Sequence, residues 1–369
     1  MSFLKIISSF DNISINEFCA SVTSAQIKNV LSKSVLSEFD FLSLLSDIPN
    51  DILEEMAQKA SALTRYHFGS SIVLFTPMYI SNYCENSCPY CSFSVHHSIV
   101  RTHLSISEIK REAQRISSSG IRHILLLTGE SPSKVSIDYL EEAISLLRDY
   151  FSLIAIEIYP LSESDYSRLI LAGCDQLTIY QETYDQIKYE KLHRCGPKAA
   201  YRYRLDTPER ACRSDIRSVT VGALLGLHDG RSDVFFAALH AAYLQKKYPS
   251  VEIGISFPRL RPQAGVFRSD YYINDRQFVQ MLTAVRLFLP TIGITLSTRE
   301  TARFRMSVLP LGITKLSAGV STSVGGHSGV NSTPQFEIAD TRDVATIYED
   351  LLSAGFQPVM HDWNYNLMR

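Results

Sequence analysis

The sequence predicts an α/β protein built as a TIM-type (β/α)8 barrel with a helical extension at its N-terminus, and three observations support this prediction. Apolar runs of strand length alternate with amphipathic runs of helix length. The alternation repeats at intervals of roughly 25 to 40 residues, which is typical of right-handed crossovers between parallel strands. Eight such strands are found, and eight parallel strands are expected to close into a barrel.

The candidate strands are short apolar runs bounded by turn residues. They span residues 72–80, 123–128, 153–158, 176–180, 218–224, 252–257, 293–297 and 314–318. The candidate helices between them carry apolar residues at three- and four-residue intervals. They span residues 107–118, 137–150, 163–171, 207–213, 232–246, 275–288 and 299–309.

The chain is predicted to divide into three regions. Residues 1–68 carry helical periodicity without strand signals and are expected to form an extension packed against the barrel. Residues 69–330 form the barrel itself. Residues 331–369 are expected to close the chain with a helical segment, because helical periodicity returns at 344–352. The polar loop that begins at Gly325 is placed where it could cover the mouth of the barrel.

Composition and charge exclude several classes of protein. The formal net charge of the 369 residues is -2, which gives no electrostatic footprint for nucleic acid or an anionic membrane. The apolar runs are too short for a membrane span, and the first residues lack the features of a signal peptide. Four of the seven cysteines, Cys19, Cys174, Cys195 and Cys212, are scattered singly, which argues against a disulfide framework. A cytoplasmic protein is expected.

The first candidate strand leads into a loop with three cysteines. Cys84, Cys88 and Cys91 have C-x3-C-x2-C spacing, so their thiolates can converge from one loop at the strand end, where barrels of this kind place their chemistry. Three thiolates leave one iron of a 4Fe-4S cluster open to a small molecule. Three unrelated cysteines or a zinc site, with His96 or His97 as fourth ligand, are the alternatives. Zinc sites usually have two separate C-x2-C pairs.

The cysteine spacing, with Tyr90 before the last cysteine, resembles the radical S-adenosylmethionine (SAM) superfamily, in which the open iron binds the amino and carboxylate groups of SAM. Further segments along nearly the whole chain resemble the 2-iminoacetate synthase family, the tyrosine lyases of thiamine biosynthesis. These segments are residues 79–82, 128–130, 180–184, 204–210, 222–226, 256–262, 296–300 and 357–359. The cysteines alone indicate the superfamily, and the other segments in this order indicate the family.

The resemblance implies a carbon–carbon lyase. Such an enzyme cleaves the Cα–Cβ bond of L-tyrosine to 2-iminoacetate (dehydroglycine) and 4-methylphenol, while SAM is reductively cleaved to 5'-deoxyadenosine and methionine. The cofactors implied are a 4Fe-4S cluster, SAM as cosubstrate and an external one-electron donor of the flavodoxin or ferredoxin type. The implied protein partner is a thiazole synthase, which would receive the iminoacetate.

The resemblance also implies residues that bind SAM. Thr128, Gly129 and Glu130 match the family's motif for the SAM amino group, where a glycine permits close approach and acceptors hold an ammonium. Arg204 would bind the SAM carboxylate, because a guanidinium offers a planar pair of donors. Glu182 would accept from the ribose hydroxyls, although a surface ion pair with Arg204 is the alternative. Gly222 and Gly226 would lie against the adenine ring. Tight strand packing is the alternative reason for these two glycines.

Three residues are expected to bind the substrate. By resemblance, Arg299 after the seventh strand holds the carboxylate of the amino acid, Ser317 in the eighth strand assists it, and Tyr79 at the end of the first strand approaches the amino group. Arg259 and Arg261 follow the sixth strand, and the sequence does not show which of them faces the site.

Three other functions are weighed against tyrosine cleavage. The first is the same chemistry on another aromatic amino acid such as tryptophan. The second is a partner protein that only holds a cluster, but a structural cluster needs neither Arg204 nor Glu130. The third is the related enzyme that makes the diatomic ligands of iron hydrogenase, which carries further cysteines in a C-terminal extension. This chain has no cysteine after Cys212, which favours the thiamine branch.

Overall fold

The computed structural model describes residues 2–361, and its centre is a closed barrel of eight parallel strands. The strands follow one another around the barrel in chain order, and the first closes it by pairing with both the second and the eighth. They are β1 (Ser71–Ser81), β2 (His123–Thr128), β3 (Leu153–Glu157), β4 (Gln176–Glu182), β5 (Ser218–Ala223), β6 (Glu252–Ser256), β7 (Gly293–Leu296) and β8 (Lys315–Ser317). The predicted barrel is confirmed, and the predicted strand ends differ from the observed ones by at most two residues.

Helices cross from each strand to the next on the outside of the barrel. They are α6 (Ile106–Ser117), α7 (Ile137–Leu147), α8 (Glu163–Ala172), α9 (Gln186–Leu192), α10 (Tyr201–Leu205), α11 (Thr207–Arg213), α12 (Gly230–Lys247), α13 (Asp275–Phe288) and α14 (Ala302–Val308). In α6, Ser105 and Glu108 cap each other's backbone N–H groups, which fixes where the helix begins. The same helix buries Ile109, Ala113 and Ile116, its apolar stripe.

Five helices precede the barrel and pack against its outer wall. They are α1 (Phe3–Ser8), α2 (Ile15–Ser21), α3 (Ser24–Leu31), α4 (Glu38–Leu44) and α5 (Asn50–Phe68). The contact lies along α12 and α13, where Phe41 stacks on Phe288 with 4.6 Å between ring centroids. Gly69 then turns the chain into β1 with a φ of 63°, a conformation that favours glycine. No helix in the described part of the chain combines the length and apolar character needed to cross a membrane.

The last described residues add a helix and a short ninth strand. α15 (Val344–Ser353) is followed by β9 (Gln357–Val359), which pairs with the first residues of β1. The N–H of Arg122, just before β2, donates to the carbonyl of Met360, so this segment lies at the N-terminal rim between β1 and β2. The sequence predicted only helical structure here, because a three-residue strand containing Pro358 is too short to show alternation. Residues 362–369 of the predicted closing segment lie outside the described residues.

Two irregular segments stand at the C-terminal end of the barrel. The cysteine loop, residues 82–105, connects β1 to α6. The crossover from β4 to β5 is built from three short helices, α9, α10 and α11, with a 3-10 turn at Pro197–Ala199. Only the last of these helices was predicted. These two segments face each other over the barrel and form much of the wall of the cavity described next.

Candidate active site

One cavity opens at the C-terminal end of the barrel strands, where the predicted site residues come together. Its lining includes the following predicted residues: Tyr79, Cys84, Cys88, Cys91, Thr128, Gly129, Glu130, Glu182, Arg204, Arg299 and Ser317. Gly222 and Gly226 are not among the described residues that line it. A Cβ on Gly222 would come within 1.7 Å of the carbonyl oxygen of Ser256 on the neighbouring strand, so glycine is required there by strand packing. Contact of either glycine with adenine stays a prediction.

The cysteine loop is held by one arginine that sequence reasoning missed. Arg101 donates to the carbonyls of Asn82, Phe93 and Ser94, each at 2.7 Å. The side chain of Asn82 in turn donates to the carbonyl of Val100. These bonds tie the two ends of the loop together, so the three thiols are presented from a fixed backbone rather than a free chain.

The three thiols face the cavity from largely apolar surroundings. Burial raises the pKa of all three, to about 11 for Cys91. A metal centre must therefore displace protons when it binds, as is usual for thiolate ligands. A tetrahedral zinc site requires its ligands close around one ion. His96 and His97, which could supply the fourth ligand of a zinc site, are not among the described residues that line the cavity. His97 instead bonds the carbonyl of Ser92 within the loop.

A charged cluster of the buried Glu130, Glu182 and Arg204 and the partly buried Lys198 lines the same cavity as the thiols. Arg204 Nη1 donates to Glu130 Oε1 at 2.9 Å, and Lys198 Nζ donates to Glu182 Oε1 at 2.8 Å. Burial alone would raise the pKa of Glu130, but Lys198 and Arg204 lower it to about 2. Both carboxylates are therefore ionised, and the cluster carries two charges of each sign. An ion pair between Glu182 and Arg204, the alternative to their SAM contacts, is present at 3.4 Å, but it is buried and not at the surface.

The backbone at Glu182 is strained in order to place its side chain in the cavity. Its φ of 71° lies in the left-handed region that non-glycine residues rarely adopt, and the register with β5 shifts between Tyr180 and Glu182. Such strain is typical of functional sites, where the surrounding structure holds the unfavourable conformation. Asn86 connects this side to the cysteine loop, because it donates to Glu130 and accepts from the N–H of Lys198.

The Thr128-Gly129 pair has one feature that serves the packing of the cysteine loop and one that suits a ligand. A Cβ on Gly129 would come within 2.2 Å of the carbonyl oxygen of Tyr83, so glycine is required there for the cysteine loop to pack. Gly129 also lines the cavity, and its contact with SAM stays a prediction. The hydroxyl of Thr128 is buried and has no hydrogen-bond partner among the described residues. A buried hydroxyl without a partner is costly, and a bound ligand could satisfy it.

The opposite side of the cavity presents a lone cation. Arg299 lies with its guanidinium carbon 3.4 Å from the ring centroid of Phe336. Its side chain forms no hydrogen bond or salt bridge within residues 2–361. Burial lowers the pKa of Arg299, only partly offset by Tyr79 and Tyr180. An arginine in a cavity wall that has no ion-pair partner among residues 2–361 indicates an anionic ligand.

Two polar groups near Arg299 are already engaged. Tyr79 donates its hydroxyl to Gln335 Oε1 at 2.8 Å, and Ser317 Oγ accepts from the N–H of Thr298 at 3.0 Å. Gln335 also approaches the sulfur of Cys91 at 3.9 Å. The polar loop after β8 therefore ends in residues that form part of the cavity wall, between the cysteine loop and the Arg299 side.

The structure also separates the two arginines that follow β6. Arg259 pairs with Glu300 and, at 2.8 Å, with Asp275, so its charge is used within the fold. The Nε of Arg261 is buried without a partner among residues 2–361. Neither is among the described residues that line the cavity. Of these three arginines, Arg299 is therefore the one that lines the cavity.

Comparisons with known proteins cover the whole barrel. The Radical SAM superfamily profile matches residues 78–236, and the Biotin and Thiamin Synthesis associated domain matches residues 256–357. The 2-iminoacetate synthase of Escherichia coli (strain K12) is 39% identical over 349 residues, 94% of this chain and 93% of the relative. The protein of that name from Salmonella typhimurium (strain LT2) is also 39% identical, over 93% of this chain and 91% of the relative.

The chain belongs to the 2-iminoacetate synthase family. A crystal structure of HydG, a maturase of the FeFe-hydrogenase, has the same fold with a TM-score of 0.92, 30% identity, and coverage of 96% of this chain and 80% of that one. This chain is therefore a radical SAM enzyme that uses a 4Fe-4S cluster and SAM as cosubstrate. The cavity fits both groups, because it offers three thiols from one loop and, beside them, the unsatisfied hydroxyl of Thr128.

Two cavity residues of this family member were missed by sequence reasoning. Lys198 lies in a segment without periodicity, where the sequence gives no signal for a partly buried ammonium. Glu157 ends the third strand, and the rule that barrel chemistry follows strand ends could have identified it. Burial, together with Glu182, raises the pKa of Glu157 to about 7, although Arg299 lowers it.

Proposed function

We propose that this enzyme cleaves the Cα–Cβ bond of L-tyrosine to 2-iminoacetate and 4-methylphenol, that SAM is converted to 5'-deoxyadenosine and methionine, and that the iminoacetate supplies the thiazole moiety of thiamine. The observation that carries the proposal is the single cavity that joins the three thiols, the charged cluster and Arg299. One end suits SAM, and the other suits an α-amino acid. The similarity to two bacterial 2-iminoacetate synthases supports tyrosine as that amino acid.

The residues of the first end are assigned to the cluster and SAM. Cys84, Cys88 and Cys91 would hold three irons of the cluster. When bound by these thiolates and reduced, the cluster would supply the electron that reductive cleavage of SAM requires. Beside the cluster, the Thr128 hydroxyl and Glu130 would accept hydrogen bonds from the ammonium group of SAM.

The two remaining contacts to SAM come from the crossover and from the end of β4. Arg204 would bind the SAM carboxylate with donors that the barrel already positions. Both cations of the charged cluster contact Oε1 of Glu182. Its Oε2, which accepts no hydrogen bond from residues 2–361, would accept from the ribose.

The residues of the second end are assigned to tyrosine. Arg299 would hold the substrate carboxylate through two parallel hydrogen bonds, which fixes the direction of the amino group. Ser317 and Tyr79 would complete the contact beside it. The walls keep water and other hydrogen donors away, since apolar residues of the barrel and of the loop after β8 enclose the space: Phe75, Pro77, Leu125 and Phe336.

The proposed reaction is tested by product analysis under anaerobic conditions. Protein with a reconstituted cluster is given a reductant, SAM and one amino acid, and 5'-deoxyadenosine and 4-methylphenol are measured. We expect both products in equal amounts with tyrosine. With tryptophan we expect no cleaved side chain. A cleaved indole side chain formed in preference to 4-methylphenol would overturn the assignment of tyrosine. The absence of 5'-deoxyadenosine with every amino acid would contradict a catalytic role.

The fate of the product implies partners in the cytoplasm. An imine hydrolyses readily in water, so direct transfer to a thiazole synthase would preserve 2-iminoacetate. A flavodoxin- or ferredoxin-type protein would deliver the electron. We expect mixed lyase and thiazole synthase to form more thiazole than the same enzymes separated by a dialysis membrane, and to cross-link during turnover. Equal yields in the two arrangements, without cross-links, would contradict direct transfer.

A further inference from the structure

Glu157 presents a carboxyl group in the cavity wall. It takes no part in the contacts assigned above to SAM and to the carboxylate of the substrate. It is the last residue of β3 and lines the cavity. Its side chain receives no hydrogen bond and forms no salt bridge within residues 2–361. The charged neighbours that face it are Glu182 on β4, Lys198 and Arg204 in the crossover, and Arg299 beyond β7. A carboxylate in this position is costly to bury unless a ligand donates to it.

The barrel places Glu157 and Arg299 across the cavity from each other. In the closed order β1 to β8, β3 and β7 are four strands apart in either direction, so they lie on opposite sides of the barrel. Arg299 follows the end of β7 by three residues, whereas Glu157 is still within β3. Arg299 is therefore nearer the mouth of the barrel, and Glu157 is deeper.

The deeper part of the cavity is suited to an aromatic ring that ends in a polar group. Its walls include the apolar side chains of Phe75, Pro77 and Leu125. Polar side chains on the β3 to β6 side of the cavity are Glu157, Tyr180 and Ser256. A carboxyl acceptor in such a pocket recognises a hydroxyl at the far end of a ring.

The α-ammonium group of the substrate is the competing partner for this carboxylate. In any α-amino acid, the ammonium and carboxylate are attached to the same carbon, so an amino acid held by Arg299 keeps its ammonium near the mouth. The phenol oxygen of tyrosine, in contrast, is separated from that carbon by the whole ring. The phenol end is therefore the part of the substrate that extends furthest toward the opposite wall.

We propose that Glu157 accepts a hydrogen bond from the phenol hydroxyl of the substrate and makes the site select tyrosine over phenylalanine. This inference rests on the proposed function for the identity of the substrate. A site built to bond a substrate hydroxyl rejects the analogue that lacks it by about 10⁴-fold, because its buried polar group is then left unpaired. Glu157 is thus a specificity-determining residue.

The experiment measures binding without turnover. The reconstituted enzyme is loaded with SAM, no reductant is added, and the dissociation constants of tyrosine and phenylalanine are measured by equilibrium dialysis. For Glu157→Gln we expect the preference for tyrosine to fall by about tenfold, since a neutral acceptor replaces a charged one. For the apolar Glu157→Met we expect a fall of about a hundredfold or more. Binding of 3-(4-hydroxyphenyl)propionate, which has no amino group, should weaken in parallel.

The control variant acts on the other end of the substrate. Arg299→Lys should weaken tyrosine and phenylalanine equally and leave their ratio unchanged. The proposal is overturned if Glu157→Gln and Glu157→Met also weaken both amino acids equally, because the carboxylate would then serve the shared ammonium or the fold. Formation of 4-methylphenol by the wild-type enzyme is scored separately. If 4-methylphenol forms but the Glu157 variants leave the preference for tyrosine over phenylalanine unchanged, the role of Glu157 alone is refuted. If 4-methylphenol does not form but that preference depends on Glu157, the lyase reaction alone is refuted.

Discussion

Replacement of Cys84, Cys88 or Cys91 by alanine is expected to abolish both the 4Fe-4S signal and SAM cleavage. Each variant leaves only two thiols in a loop that is otherwise fixed by Arg101, and the loop cannot move another cysteine into the empty position. A cluster with two protein ligands loses a second iron to solvent. The measurements are iron and sulfide content, the electron paramagnetic resonance spectrum of the reduced protein, and 5'-deoxyadenosine formed per hour.

Two other cysteines provide matched controls. Cys174 is buried just before β4, at the N-terminal end of the barrel, and Cys212 is buried in α11 on its outside. Replacing either with alanine leaves a small cavity that costs about 1 kcal/mol of stability, and cluster content should stay close to that of the wild type. Normal cluster content in Cys88→Ala would disprove the assignment of the triad. Loss of the cluster in Cys174→Ala would show that the assay reports folding instead.

The fold was predictable because barrel strands are buried on both faces and therefore read as continuous apolar runs. β2, for example, is the run His-Ile-Leu-Leu-Leu-Thr, and its predicted limits are those observed. α9 was missed because it buries just two of its seven residues, Tyr189 and Leu192, and α10 was missed since its five residues give too few turns for periodicity to be recognised. β9 was missed for the same reason, and because its partner lies nearly the whole chain away at the start of β1.

Residues of the site were predictable where the side chain lies at the end of a strand and its position in the cavity does not depend on packing against a distant segment. Arg299 and the cysteine triad are of this kind. What could not be predicted depends on packing between distant segments. Gly129 is required by the carbonyl of Tyr83, and Lys198 becomes a partly buried cation only because its helical turn closes against Asn86. Such contacts join residues far apart in sequence and leave no local pattern.

Arg299→Lys is expected to separate radical generation from tyrosine cleavage. A guanidinium presents a fixed fork that binds a carboxylate through two parallel bonds, whereas an ammonium on a flexible stem acts as a point charge. The position of Arg299 against Phe336 fixes the plane of that fork, and a lysine would not keep it. A displacement of the reacting amino group by about 1 Å can lower the rate on the order of a hundredfold. We therefore expect 5'-deoxyadenosine to form without a matching amount of 4-methylphenol.

Arg204→Lys is the comparison that makes this result specific. Arg204 bonds to Glu130 within the charged cluster, on the SAM side of the cavity. The Arg204→Lys variant should bind SAM more weakly and form less 5'-deoxyadenosine and less 4-methylphenol, so the ratio of the two products stays at the wild-type value. The ratio of 5'-deoxyadenosine to 4-methylphenol is measured for both variants under reducing, oxygen-free conditions. If Arg299→Lys keeps the wild-type ratio and tyrosine affinity, another group holds the substrate carboxylate.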